Sequence, residues 1–486
     1  MIVLARAPFL PVLAGIVSML ALSGRTVSWA LPPIAVLAAF GTAMCSFHSD
    51  RRGQWRVAAF MLLCTFLCAS WIAYSLASPI FRSSGFIDTT GTVVESRPWG
   101  RLYAVSVKTP EGGFVLKLPF AVLAEGTRVR LRGVPVPFKA EASESGFRED
   151  RFWYARGMTA RLASAAADPL PAQGWNIYRW RHGLYRALTL HLPPLTGKYL
   201  NAAWTGRRDR ELDAAHRVWG TSHLLAVSGL HVGIAMYCAS FFFRRGRVRV
   251  LALSALLWFY VLLTGAPASA VRAALMIQIA LLGELAGRPG SALNSVSLAA
   301  VLLLLWSPFY FWDLGWRLSV LAVLVIAALM ERRSSDGWKE FDGWKEFDKW
   351  KEWLAFSLLV WAATFPQVSA VFAPVPLAGI LINLAAVPFF SFVLPFASGA
   401  AALCLLGVPG MGFVLRAAEG AFVLWGFIAD AAARLCPWQA EASPVVVWFC
   451  AAAFLTLLCR ALFVPWRSTA ILAPLGALVS FSLFGA

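Results

Sequence analysis

The sequence predicts a polytopic α-helical membrane protein of about thirteen spans, interrupted once by an extracytoplasmic OB-like β-barrel domain. The first observation is composition: of 486 residues, 59% are hydrophobic and only 14% charged, with 22 Trp, 35 Phe and a mean hydropathy of +0.67. Soluble domains carry about a quarter charged residues, so no water-facing fold can hide this much apolar surface. The second is patterning: apolar windows of about 20 residues recur along the chain and stop between Arg82 and about Asp168. The third is charge, since 43 Lys+Arg oppose 25 Asp+Glu for a net +18, with arginines clustered in short loops.

Taken in order, windows at 4–23, 27–47 and 57–80 form an N-terminal transmembrane unit, residues 1–81. The first continues into further apolar sequence without a small-residue cleavage site, which reads as an anchor and not a removable signal. The β domain follows at 82–168, then a basic amphipathic surface segment at 169–221. A transmembrane domain over 222–486 holds windows at 222–243, 250–265, 267–286, 291–306, 314–330, 354–373, 377–406, 411–430, 443–464 and 468–486. Arg51/Arg52/Arg56, Arg244/Arg245/Arg247/Arg249, Arg332/Arg333 and Arg467 mark cytoplasmic loops. An N-terminus inside satisfies all four clusters and places the β domain and Ala486 outside. The cysteines fall in or beside apolar runs and read as small hydrophobic residues.

Within the β domain, short alternating runs at 91–97, 101–109, 113–118, 127–136 and 159–164, with a helix-like 147–158 before the last, fit an OB-type barrel. Period 2 places Arg128, Arg130 and Arg132 on one face and Val129 and Leu131 on the core side. That basic face is either the polar exterior every barrel strand needs or a phosphate track for single-stranded nucleic acid. Tyr103 and Phe114 are either stacking platforms or core.

From Trp175 to Trp219, basic residues including Arg207, Arg208 and Arg210 outnumber acidic ones, and Trp175, Tyr178, Trp180 and Tyr185 suit a membrane interface. Head-group attraction explains this segment, and a polyanion funnel is its second use. The hexapeptide repeat over 336–353 places Trp and Phe every third residue, which winds them around a helix, and reads as a tolerated expansion.

Chemistry concentrates in His223-Leu-Leu-Ala-Val-Ser-Gly-Leu-His-Val-Gly233, where two imidazoles and a hydroxyl share one apolar span. As one helix it sets His223 and His231 about 12 Å apart along the axis, too far for a single metal, while Gly229-x-x-x-Gly233 permits close helix packing. Glu284/Arg288, Asp313/Arg317, Asp430/Arg434 and Arg416/Glu419 have helical spacing for local pairing. Arg272 has no carboxylate within a turn, and an unpaired arginine in a span costs about 3 kcal/mol, so it must face a partner helix, water or an anion. Asn383 is a similar lone polar residue, and Pro388 and Pro395 are expected to break its segment. No P-loop, HExxH or clustered histidines occur, so no metal, cofactor or motor is expected.

The run from His223 to Val232 resembles the signature of the ComEC family of bacterial competence proteins, inner-membrane channels for DNA uptake. Thr264-Gly265, Ser269, Arg272, Ala273 and Met276 follow in the family's order, then Pro308, Asp313-Leu-Gly-Trp-Arg-Leu-Ser319, Thr364, Pro366, Asn383-Leu384 and Pro388. Phe152-Trp-Tyr-Ala-Arg-Gly-Met158 and the β domain before it resemble the family's extracytoplasmic OB-like domain. Two departures stand out: Trp316-Arg317 replaces the usual Phe-Gln, and the C-terminal metallo-β-lactamase-like nuclease domain of many members does not follow.

The resemblance implies a multi-pass channel of the bacterial cytoplasmic (inner) membrane that passes single-stranded DNA and is not an enzyme. Its pore-lining candidates are His223, Ser228, His231, Arg272, Asn383 and Pro388, and its DNA-binding candidates are Arg128, Arg130, Arg132, Arg207, Arg208 and Arg210. Partners implied are single-stranded DNA, membrane lipid, an extracytoplasmic DNA receptor, a cytoplasmic helicase motor and a separate nuclease. Two rivals remain open: a transporter of another anionic polymer or lipid, and an intramembrane serine protease using Ser228 within Ala226-Val-Ser-Gly229. The protease needs a histidine held against Ser228 from another helix, and the four histidines outside the run lie outside the expected spans.

Overall fold

The computed structural model describes residues 9–22, 32, 35–36, 39, 51–77, 85–119, 123–139, 148–171, 174–243, 246–287, 290–334, 349–372, 374–441 and 443–461. Most of the expected span at 27–47, all of that at 468–486 and nearly all of the hexapeptide repeat lie outside the described residues. So do Arg244, Arg245, Arg288 and Arg467.

Among the described residues, the helices α1 (Phe9–Leu22) and α2 (Arg51–Ala77) precede the β domain. Its strands are β1 (Ile87–Trp99), β2 (Leu102–Thr109), β3 (Gly112–Leu118), β4 (Arg128–Val136) and β5 (Ala160–Leu170), with α3 (Glu149–Tyr154) before the last. β1 pairs with both β2 and β4, so the order β1-β2-β3-β5-β4 closes on itself. Closure removes the edges that would otherwise expose unpaired backbone. Along β4, burial alternates as period 2 requires: Val129 and Leu131 are buried, and Arg130 and Arg132 are exposed. Phe114 is only 2% exposed and packs in the barrel core, which settles it as core and not a stacking platform.

Beside the barrel, α3 supplies Trp153, which packs against Trp99, Phe138 and Phe152. The same short helix faces the membrane domain. Tyr154 meets Phe309 at 5.0 Å, the Arg151 guanidinium lies 4.5 Å from the Trp312 ring centroid, and Arg156 pairs with Asp313 at 3.4 Å.

The rest is helical: α4 (Ile177–His191), α5 (Pro194–Thr205), α6 (Arg210–Val218), α7 (Gly229–Ser240), α8 (Arg247–Leu263), α9 (Ala268–Leu285) and α10 (Ala292–Trp306). After a short 3-10 turn at Pro308–Trp312 come α11 (Leu314–Ser334), α12 (Lys349–Phe372), α13 (Ala378–Leu405), α14 (Met411–Leu435) and α15 (Pro444–Ala461). The two-residue strands β6 (Val375–Pro376) and β7 (Gln439–Ala440) pair outside the barrel. Five segments among the described residues are long and apolar enough to cross a bilayer: Ala58–Ala77, Ser222–Ser240, Ala268–Leu285, Ala378–Leu405 and Met411–Leu435. The chain is a membrane protein.

Among the described residues, two helix groups form the largest cores of the membrane domain, and α7, α8 and α9 share a smaller one. α1, α2, α9, α10 and α11 share one core, and α5, α6, α13 and α14 share another. α7 packs on α8, on α9 of the first group and on α13 of the second, so it touches both groups.

Packing changes three sequence expectations. Pro388 and Pro395 do not break their segment: α13 runs through both. A proline removes only one helix hydrogen bond, and neighbouring helices hold the turn. The stretch expected on the membrane surface is divided, because α5 is buried against α13 and α14. Its N-terminus explains Glu419, whose carboxylate accepts from the backbone N–H of Leu195 (2.9 Å) and Thr196 (2.6 Å) and from the Thr196 hydroxyl (2.7 Å) instead of pairing with Arg416. Asp430 likewise takes the Trp219 indole N–H (2.7 Å), and Glu284 meets Arg249 (2.6 Å), while its expected partner Arg288 lies outside the described residues.

Beside Trp219 the chain turns at Gly220 (φ +69°), where a Cβ would stand 2.9 Å from Gly379 Cα. No other residue fits there. The fully buried His216 closes this corner, with Nε2 on the Tyr199 hydroxyl (2.9 Å) and Nδ1 on that of Thr221 (2.8 Å). Burial lowers its pKa to about 4. As pH falls, the unfolded chain, with an ordinary histidine pKa near 6.5, takes up this proton before the folded one. This contribution is therefore full above about pH 6.5 and is lost towards pH 4, by about 3 kcal/mol in total. Melting temperature followed across that window is expected to fall more steeply for wild type than for His216→Gln.

Candidate functional site

The run from His223 to Gly233 is not one helix. A 3-10 turn at Ser222–Leu224 gives way to non-helical backbone, and α7 starts at Gly229 with Ser228 extended (φ −112°, ψ 170°) as its N-cap. Serine favours this position because its hydroxyl replaces a missing helix partner. Here Ser228 Oγ accepts from the His231 backbone N–H, and His231 Nδ1 accepts from the Ser228 N–H at 3.2 Å, a reciprocal capping box. His223 and His231 therefore stand on separate segments, and the expected helical offset between them does not exist. Nor does Gly229-x-x-x-Gly233 form a tight helix contact, since a Cβ at Gly233 would meet nothing within 4 Å.

Ser228 Oγ also lies 3.0 Å from His231 Nδ1, so a histidine does reach this serine, from its own helix. The cap accounts for the contact: Nδ1 is held by the serine backbone, and among the described residues no carboxylate orients Nε2 as a nucleophile-activating pair requires.

Across the break stands Arg272, on the first turns of α9 and only 2% exposed. Its Nε donates to Ser319 Oγ (2.9 Å) on α11 and its Nη1 to Met276 Sδ (3.0 Å). Nη2 has no hydrogen-bond partner and the charge no carboxylate among the described residues. A guanidinium this deep, held by two neutral groups, carries uncompensated positive charge into the membrane domain. Ser269, one turn earlier, donates to the Val227 carbonyl (2.7 Å) and fixes the broken segment against α9.

The other candidates divide. Asn383 lies on the inward face of α13, and its Oδ1 is buried without a hydrogen-bond partner among the described residues. His223 is exposed, on the 3-10 turn before the break. Pro388 falls with exposed Leu381, Phe392 and Phe396 on the opposite, exposed face of α13. It does not join the others.

On the barrel, Arg130 makes a two-pronged ion pair with Asp88 (2.7 Å), and Arg132 pairs with Asp168. The hydrogen bond from Arg130 holds the Asp88 carboxyl below its usual range. Arg128 flanks them, half-buried. Arg210 is exposed, and Arg208 is exposed beside Asp213 at 3.4 Å.

Arg207 has turned inward. It meets Glu125 Oε1 at 2.8 Å while Arg181 meets Oε2 at 2.8 Å, with the Glu125 side chain 1% and the Arg181 side chain 7% exposed. One barrel carboxylate is thus clamped by α4 and by the loop after α5. Arg181 also donates to the Val94 carbonyl, and its Nη1 lies so close to Gly265 (φ +87°) that a side chain there would overlap it. The clamp therefore rests on the turn that leads into α9 and Arg272. Sequence reasoning missed it: Glu125 and Arg181 are 56 positions apart, and the only local sign was an acidic residue in the turn before β4.

Residues 204–468, more than half of the chain, match the family described as Competence protein. ComE operon protein 3 of Bacillus subtilis (strain 168) is 38% identical over 137 residues, which span 26% of this chain and 17% of that protein. No solved structure matches. The matched region contains the broken α7, Arg272, Ser319 and Asn383, and the chain belongs to the ComEC family of competence proteins.

Proposed function

We propose that this protein is a channel for single-stranded DNA across the bacterial cytoplasmic membrane, with the barrel outside as an OB-like guide for the strand. The observation that carries the reading is Arg272: a buried, uncompensated guanidinium beside the break before α7, the helix that touches both groups. A phosphate chain cannot cross hydrocarbon and needs a hydrated path with positive charge along it. His223, exposed on the turn before α7, and Asn383 on α13, which packs on α7 and whose Oδ1 has no hydrogen-bond partner among the described residues, extend that path. The span count of about thirteen, the inside N-terminus and the placement of 82–168 outside belong to the same proposal. A DNA receptor, a helicase motor and a nuclease are the partners such a channel requires.

The full chain in proteoliposomes is expected to pass a dT oligonucleotide down an applied gradient and to exclude duplex of the same length. Passage of polyphosphate or phospholipid, with none of DNA, would favour the rival transporter of another anion. On the barrel, Arg128→Glu, Arg130→Glu and Arg132→Glu together are expected to weaken strand binding by the full chain and flatten its salt dependence. Unchanged binding identifies that face as ordinary barrel exterior, with its arginines spent on Asp88 and Asp168.

A further inference from the structure

We infer that the N-terminus of α7 and Arg272 Nη2 together form a single phosphodiester subsite, at which the strand is held one phosphate at a time. The inference deepens the channel reading and rests on it for the identity of the ligand. Two independent features meet here. The first is the helix end: Ser228 and His231 satisfy two of its backbone donors by capping each other, and the Gly229 and Leu230 N–H groups have no partner among the described residues. Such donors, at the positive end of a helix of 12 residues, favour an oxyanion. The second is Arg272, 2% exposed, whose Nη2 lies 3.5 Å from where a Cβ on Gly229 would stand.

A phosphodiester carries one negative charge on two non-bridging oxygens. One oxygen can accept from the α7 amides and the other from Nη2, an arrangement that charge-assisted hydrogen bonding favours. Gly229 then has a chemical reason. Its backbone is outside the left-handed region, and alanine there would meet Arg272 Nη2 and Ala273 Cβ at 3.5 Å each, ordinary contact. The fold tolerates a methyl group at this position, but the methyl stands where the anion approaches. The break in α7 also limits the grip: two amides and one guanidinium nitrogen make few bonds, as a path that must release each phosphate requires.

A phospholipid head group offers the same phosphodiester, so the test separates the two sources. The full chain in phosphate-free detergent is melted with dimethyl phosphate, a dT oligonucleotide or phosphatidylglycerol, each at matched ionic strength. Wild type is expected to be stabilised by dimethyl phosphate and by dT. Gly229→Ala and Arg272→Gln should melt near wild type alone, lose the dimethyl phosphate shift, and pass dT in liposomes about tenfold more slowly. The double variant should be no slower than either single one, because both remove one site. Equal shifts for wild type and Gly229→Ala overturn the subsite, as does a Gly229-dependent shift with phosphatidylglycerol and none with dT. Normal DNA passage by Gly229→Ala overturns it while leaving the channel intact. Gly229-dependent dimethyl phosphate binding in a protein that passes no DNA sinks the channel reading and leaves an anion site.

Discussion

Arg272→Ala is expected to reach the membrane at close to wild-type abundance and to lose DNA uptake by about tenfold or more, an order-of-magnitude figure for removing a charge-assisted contact along a single path. Abundance is the informative half. Truncating one member of a buried ion pair strands the other charge and costs ~3–5 kcal/mol, but Arg272 donates to a serine hydroxyl and a methionine sulfur, and neither is charged. Ser319 can turn its hydroxyl to a carbonyl of its own helix, and Met276 needs no partner. Removing the guanidinium therefore relieves a burial penalty. Arg272→Lys should keep part of the uptake, because an ammonium still meets phosphate as a point charge but cannot hold Ser319 and an anion with separate nitrogens. Immunoblots of isolated membranes alongside transformation frequency separate the cases. Parallel loss of protein and uptake would make Arg272 a structural bridge and remove it from the path.

The opposite pattern is expected at Glu125. Glu125→Ala leaves Arg181 and Arg207 facing each other without a counter-charge, one of them almost fully buried, and should destabilise the chain by ~3–5 kcal/mol. Thermal melting in detergent reads that loss directly, and the barrel should become accessible to protease at its junction with α4. Glu125→Gln retains a hydrogen-bond acceptor but no charge, and should fall in between. Replacing the cluster together, as Glu125→Leu with Arg181→Met and Arg207→Met, should recover much of the stability, since apolar packing often equals a buried ion pair. If the triple variant melts like wild type but takes up no DNA, the clamp places the barrel over the path. Glu125→Ala melting like wild type would show that the barrel is held by α3 and Asp313 alone.

These two residues show where sequence reasoning reaches and where it stops. Arg272 stood out because the absence of a carboxylate within one helical turn can be read from neighbours in sequence. Glu125 did not, because an acidic residue in a turn is ordinary until two arginines from other segments close on it. The break before Gly229 lies between these extremes. Ser228 is a strong N-cap residue, but inside an apolar run it also fits a continuous span, and only the side chain of His231 returning to its backbone decides between the two. Pro388 was illegible for a related reason: a proline in a span marks a weakened turn but not which way that turn faces, and packing leaves it on an exposed face of α13.

Composition alone dictated a membrane protein, and period 2 located the barrel strands and turned Val129 and Leu131 inward, because bilayer thickness and strand pleat act on consecutive residues. The family, too, was legible in one motif and its ordered followers. Packing alone decided which polar groups meet: Glu419 with the start of α5, Glu125 with Arg181 and Arg207, and Arg272 with Ser319 and the broken end of α7. Such pairs span tens to hundreds of positions, and a charge buried in low dielectric takes whichever partner the packed helices bring within about 3 Å, a choice that no local pattern encodes.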